Sequence, residues 1–310
     1  MQHLPPPQGP RDAGQGAAET APPPGRADAP GLETAFGQPR NSLSNRFVYA
    51  VISQRARGLS IGVNLTPDKH CNFDCVYCEV NRDEPGRDQQ VDLPVLAAEL
   101  EGLLRVVAAG KLRGYACFKN LPAELLELKE VALSGDGEPT LCPNFAEVVA
   151  EVLRIRVSGR FPAFKIVLIT NATTLDQPDV MRGVRLLDSQ DEIWAKVDAG
   201  TQAHLDRINR SEVSLSHVLG NILTLAKRRP VVIQSLFPLM RREGPSMEEI
   251  DAYVGRLREL KEAGAQISMV QVYSAHRPPH RPECAHLPLR QLSLIAKRVW
   301  EGTGLRAEVF

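Results

Sequence analysis

The sequence of 310 residues has no net charge, because Lys plus Arg and Asp plus Glu both number 37. Strong binders of nucleic acid or of membrane surfaces usually carry a basic excess, so the overall charge supports neither partner. No apolar run approaches the roughly 18 residues needed to span a bilayer. The opening MQHLPPPQGP lacks a basic region followed by an apolar core, so it does not read as a secretory signal. A cytoplasmic protein is the resulting expectation. Large apolar side chains are scarce in residues 1–43, which are rich in Pro, Gly and Ala. Such a segment cannot bury enough surface to offset its ordering entropy, and it is expected to form a disordered tail.

Cysteine is also sparse, and none precedes residue 71. The six are Cys71, Cys75, Cys78, Cys117, Cys142 and Cys284, three of them within eight residues. A disulfide framework belongs to small secreted chains, and this chain is neither small nor marked for secretion. Clustered thiols in a reducing compartment point to metal. The remaining composition, 43% hydrophobic and 24% charged, is that of an ordinary globular protein.

From residue 44 onward, short apolar runs alternate with longer amphipathic stretches. The runs Leu59–Leu65, Glu130–Leu133, Lys165–Ile169, Glu192–Val197, Val231–Leu236 and Ile267–Tyr273 are rich in Val, Ile and Leu, as buried parallel strands are. Helices are expected over Val91–Ala108, Asn144–Ile155, Val213–Lys227, Ser246–Ala263 and about Leu289–Glu301. Ser246 with Glu249 three residues on reads as a capping box, and Gly264 as a C-cap. Residues 109–125 read as an irregular insertion. Strands alternating with helices argue for βαβ units and a parallel sheet, either open or curled into a barrel.

After the first of these strands comes NLTPDKHCNFDCVYCEV, with the spacing C-x3-C-x2-C. Three thiolates on one loop can ligate three irons of a cubane cluster and leave the fourth iron open. A closed zinc site needs four ligands, commonly from paired C-x2-C units, and here there is a single pair. His70 could supply a fourth ligand, but its adjacency to Cys71 makes a shared tetrahedral ion difficult. A zinc-stabilised, non-catalytic binding module is the alternative reading. A redox C-x2-C leaves Cys71 without a role. The second strand runs into SGDGEPTL, where Gly135 and Gly137 permit positive φ and close approach to a ligand. Alone, that segment is an ordinary turn.

Cys71, Cys75 and Cys78, with Tyr77 before the last cysteine, resemble the signature of the radical S-adenosylmethionine (SAM) superfamily. The stretches QRARGLSIGVNLTPDKHCNFDCVYCEV, LSGDGEPTL and AKVDAGT are similar to the branch of Fe–S oxidoreductases related to wybutosine-synthesis enzymes, over about residues 46–280. The resemblance implies a partial (β/α)6 barrel across a radical SAM domain of residues 44–310. It also implies a [4Fe–4S] cluster on the three cysteines, and reductive cleavage of SAM to a 5′-deoxyadenosyl radical that abstracts hydrogen from a substrate. It places Tyr77 near the adenine, a position that a plain core aromatic also fits. Gly135, Asp136, Gly137 and Glu138 correspond to the family's Gly-Gly-Glu motif, which cradles the methionine amino group, with Asp136 replacing a glycine. Thr170, Asn171, Lys196 and Asp198, at the ends of the third and fourth strands, become SAM-contact candidates. An external low-potential donor of the flavodoxin or ferredoxin type is implied as the electron source.

Two departures limit the match. The wybutosine enzymes hold a second cluster through cysteines N-terminal to this loop, and none is present here. There is also no room for the flavodoxin-like domain of some relatives. The tRNA-modifying activity is therefore not implied. Cys117, Cys142 and Cys284 read as lone buried cysteines rather than an auxiliary cluster. Gln234, and Tyr273, His276, Arg277, His280 and Arg281 beyond the sixth strand, offer polar and basic groups for an anionic substrate.

Overall fold

The computed structural model describes residues 45–83, 86, 88–275 and 281–310. The expected tail at 1–43 and His276, Arg277 and His280 lie outside the described residues. All described residues fall in one unit, Glu33–Phe310.

Each expected strand forms. They are β2 (Gly58–Asn64), β3 (Leu128–Ser134), β4 (Lys165–Thr170), β5 (Glu192–Lys196), β6 (Val231–Leu236) and β8 (Ile267–Tyr273). They pair in parallel in that order. Two short edge strands were not expected. β1 (Val48–Ser53) runs antiparallel to β2, and β10 (Ala307–Val309) parallel to β8. A separate ribbon pairs β7 (Pro238–Met240) with β9 (Cys284–His286). The β1–β2 hairpin is hard to read because its left-handed turn residue is Arg57, with φ of 56°, where Gly or Asn would be the usual signal.

The expected helices appear as α1 (Leu93–Ala108), α2 (Phe145–Val157), α5 (Leu215–Ala226), α6 (Met247–Glu262) and α7 (Leu289–Thr303). Two seven-residue helices, α3 (Pro178–Val184) and α4 (Gln202–Ile208), are too short to show a period in sequence. The 109–125 insertion folds into 3₁₀ turns. Gly264 caps α6 with φ of 93°. The capping box forms only in part. The Ser246 hydroxyl accepts from Glu249 N at 3.3 Å, but the Glu249 carboxylate accepts instead from Gly200 N at 2.6 Å and from the Thr201 hydroxyl at 2.6 Å. Glu249 thus clamps the loop after β5 rather than its own helix.

One face of the sheet carries Ile61, Val63, Val131, Leu133, Ile166, Leu168, Ile193, Ile233, Val270 and Val272, all essentially inaccessible. Against it lie Leu96, Leu100 and Leu104 of α1, Val148 and Val152 of α2, and Leu257 of α6. Each such side chain contributes about 1.5–3 kcal/mol on burial. The opposite face mixes a small apolar patch, Val167, Trp194 and Val232, with buried Ser60, Glu130, Gln234 and Gln271. Side chains bring the two edges of the sheet together. Arg57, in the β1–β2 turn, pairs with Glu308 of β10 at 2.9 Å. Arg55, in the same turn, lies 4.9 Å over the Tyr273 ring of β8. The six central strands with their helices therefore form the partial barrel, and the polar face is its interior.

Candidate functional site

The C-terminal ends of the parallel strands surround a cleft of about 770 Å³ that receives Cys71, Cys75, Cys78, the 134–139 turn, Thr170, Asn171, Lys196 and Tyr273. Parallel α/β folds gather their sites at this end. The cysteine loop, Tyr77, the 135–138 turn, Thr170, Asn171, Lys196 and Tyr273 thus meet at one cleft, whereas Asp198, Gln234 and Arg281 do not line it.

The cysteine loop is pinned from both sides. Asp74 N and Val76 N donate to the carbonyls of Asn209 and Ile208 at 2.9 and 2.8 Å. Val76 is wholly buried beside Ile208, Leu236 and Met240, while Phe73 anchors the loop in the main core. Arg281, expected to face an anionic substrate, instead pairs with Asp74 of this loop. The three sulfurs receive few hydrogen bonds. Phe73 N donates to Cys71 at 3.4 Å, Asn209 Nδ2 to Cys75 at 3.4 Å, and Arg82 Nη2 to Cys78 at 3.9 Å. Burial, reinforced by the charge of Glu138, pushes the Cys71 thiol up. Burial is also the main cause that pushes Cys75 up to about 12. Desolvated thiols of this kind keep their proton until a metal cation takes its place. Arg82 Nε is buried beside them without a partner.

Among the described residues, no three His, Cys, Asp or Glu side chains close on a single metal ion. A cubane cluster takes each thiolate on a different iron, and three thiols that line one cleft fit it. Cys117, Cys142 and Cys284 join no such group either. Cys142 is buried with its sulfur 3.2 Å from Asn144 Oδ1, and Cys284 is buried in β9.

The turn after β3 packs against the cysteine loop. Gly137 N donates to Thr66 Oγ1 at 2.8 Å, and Glu138 N to the His70 carbonyl at 3.0 Å. A Cβ on Gly137 would overlap the His70 carbonyl, and one on Gly135 the Thr66 hydroxyl. Neither glycine has positive φ. The positive φ that they would permit is therefore not used, and the close approach that they allow includes that of two loops to each other. Asp136 accepts from Asn64 Nδ2 at 2.6 Å. The Glu138 carboxylate turns inward to the Thr140 and Thr170 hydroxyls, both at 2.6 Å, and to Asn171 N at 2.7 Å. Burial raises its pKa against those bonds. Asn171 also donates to Asn72 of the cysteine loop at 2.8 Å, and Asn72 to Thr173 at 2.7 Å.

A second network lies under Cys75. Tyr77 donates its hydroxyl to Asp198. Lys196 Nζ stands 3.1 Å from that hydroxyl, 3.6 Å from Asp198 and 4.9 Å from the Tyr77 ring centroid. Burial works to lower the Lys196 pKa, but the charge of Asp198 and the neighbouring Tyr273 and Cys75 outweigh it and raise it, so the ammonium keeps its proton. The other Asp198 oxygen accepts from Leu236 N at 2.8 Å. Asn209, which sequence reasoning missed, donates to Asp198 at 2.7 Å, to Tyr77 at 2.9 Å and to Cys75. No motif surrounds it; its role comes from the C-terminal position on α4. Gln234 lies buried against Gln271 at 3.2 Å.

A family model described as the radical SAM superfamily matches residues 66–254. A UPF0026 protein of Synechocystis sp. is 29% identical over 181 residues, 57% of this chain and 58% of that protein. The chain thus spans little more than half the length of that relative. A UPF0026 protein of Helicobacter pylori is 19% identical over 269 residues, 81% of this chain and 79% of that protein. A solved structure described as TYW1 with a lysine-pyruvate adduct bound shares the fold, with a TM-score of 0.54 at 17% identity over 83% of this chain and 84% of that one.

Proposed function

Because the chain belongs to the radical SAM superfamily, whose enzymes bind a [4Fe–4S] cluster and SAM, we propose that it cleaves SAM reductively in the cleft at the strand ends. Cys71, Cys75 and Cys78 would hold the cluster. When bound there, the cluster supplies the electron that breaks a sulfonium C–S bond, giving methionine and a 5′-deoxyadenosyl radical for hydrogen abstraction from a substrate. The observation that carries the reading is the set of three thiols, on one loop, that line the same cleft.

The roles of this chain's residues follow from their hydrogen bonds. The backbone of 135–138 and the side chains of Thr170 and Asn171 line the pocket beside the cysteine loop, where they would hold the methionine part of SAM. Tyr77 and Lys196 line the pocket further along and would orient the nucleoside. Glu138 and Asp198 serve as positioning residues, since their carboxylate oxygens are occupied by protein donors. The barrel interior excludes water from the reaction, the protein's usual contribution to cofactor chemistry. This reading extends over a radical SAM domain of residues 44–310, in the cytoplasm, with a flavodoxin- or ferredoxin-type electron donor. Among the described residues, no helix is long and apolar enough to cross a membrane.

The test is anaerobic turnover. Reconstituted protein reduced with dithionite and given SAM is expected to yield methionine and 5′-deoxyadenosine. No 5′-deoxyadenosine from protein carrying a full complement of iron and sulfide would sink the proposal.

A further inference from the structure

At the floor of the same cleft is a cation that the cluster and SAM do not account for. Arg55 comes from the β1–β2 turn, at the opposite end of β2 from the cysteine loop. Its guanidinium reaches up the barrel interior and lines the cleft. It lies 5.5 Å from the Trp194 ring centroid and 4.9 Å from that of Tyr273. Both contacts are to aromatic rings. Among the described residues, no hydrogen bond or close ion pair holds Arg55, although its charge acts on the interior carboxylate of Glu130.

The platform is rigid. The Trp194 indole N–H is fixed by Glu192 at 2.8 Å, and its ring is buried. Arginine stacked on aromatic faces keeps its five N–H donors free at the edge of the plane, which preorganises it for a planar oxyanion. Gln271 shares the interior face with Tyr273 two residues on and is fully buried, away from the cleft surface. Lys196 lines the same cleft, but its charge is engaged by Asp198 at 3.6 Å. The interior carboxylate Glu130 lies deeper, bonded to Ser60 at 3.0 Å.

We propose that Arg55 is the substrate-recognition group of this enzyme and that the substrate presents an oxyanion, a carboxylate or a phosphate, to the cleft floor. The assignment rests on the cleft being the reaction chamber. It places the anionic end of the substrate on the Arg55 guanidinium, and the rest of the molecule points up toward the cysteine loop. A cation entering from the far end of the barrel is directed at a second molecule rather than at SAM.

The experiment is calorimetric titration of the cluster-reconstituted, unreduced protein with succinate and with inorganic phosphate, with and without SAM. One of the two anions is expected to bind saturably, and Arg55→Gln to weaken it about tenfold to a hundredfold. Arg55→Lys should recover part of the loss. Tyr273→Phe keeps the ring and should keep the binding, whereas Tyr273→Leu should weaken it. Preference for succinate or for phosphate identifies which oxyanion the substrate carries. Binding of neither anion, or binding that Arg55→Gln leaves unchanged, overturns the proposal. So does a comparable loss of SAM affinity in Arg55→Gln, which would put the guanidinium in the SAM site. Anion binding that depends on Arg55 in a protein that takes up no iron or sulfide would retain the anion site and sink the cluster reading instead.

Discussion

The loop after β2 and the turn after β3 touch in the cleft, yet their polar atoms are treated in opposite ways. In the turn, Asp136 is taken by Asn64, Gly137 N by Thr66 and the Glu138 carboxylate by hydroxyl and amide donors from two loops. In the cysteine loop, the backbone is just as firmly held, but each of the three sulfurs gains one weak sulfur hydrogen bond, at 3.4, 3.4 and 3.9 Å. A buried polar group left under-satisfied is costly, and natural proteins keep few of them. The turn is scaffold, complete in itself. The cysteine loop is a rigid frame whose reactive atoms are kept for a ligand.

Substitutions can break that contrast. Cys75→Ala should have the largest effect, loss of most cluster binding and of all SAM cleavage, with little change in the stability of the cluster-free fold. Visible absorption of the reconstituted protein and a urea unfolding curve measure the two. Glu138→Ala should do the reverse. It strands Asn171 N and two hydroxyls and should cost about 2–4 kcal/mol of stability even without a cluster. Asn209→Ala removes a donor shared by Asp198, Tyr77 and Cys75. About 1–2 kcal/mol is expected, again from urea unfolding.

Glu130 gives the smallest effect and a pH signature. Burial, only partly opposed by the Ser60 bond and by Lys165 and Arg55, raises its pKa above the ordinary 4.5, and one carboxylate oxygen has no partner. The protonated form therefore favours folding. This contribution is complete below pH 4.5 and is lost as pH rises through the raised value. Glu130→Gln keeps a neutral side chain at all pH. It should match wild type in acid and exceed it above that window by about 1 kcal/mol, as thermal unfolding across pH would register.

What could be read from sequence was what local pattern encodes. Val231–Leu236 and Ile267–Tyr273 form strands with the expected bounds because short runs rich in Val and Ile suit a largely buried parallel strand. The cysteine spacing was legible because the three thiols share one loop. The glycines were located, but the neighbours that demand them, the Thr66 hydroxyl and the His70 carbonyl, were out of view of the local turn. Asn209 and Arg55 were invisible for the same reason. Asn209 meets Cys75 across 134 positions of chain, and Arg55 meets Trp194 and Tyr273 only because the sheet curls. Glu249 shows the converse: its capping box was legible, but tertiary contacts at Gly200 and Thr201 drew its carboxylate away.

The central claim is that Cys71, Cys75 and Cys78 are a frame for a cluster with one iron left for SAM. Its most direct test is iron, sulfide and zinc analysis of the anaerobically reconstituted protein, with electron paramagnetic resonance of the reduced form before and after SAM. The account predicts about four irons and four sulfides per chain and a spectrum that SAM perturbs. One zinc per chain without sulfide, or a cluster whose spectrum ignores SAM, would contradict it.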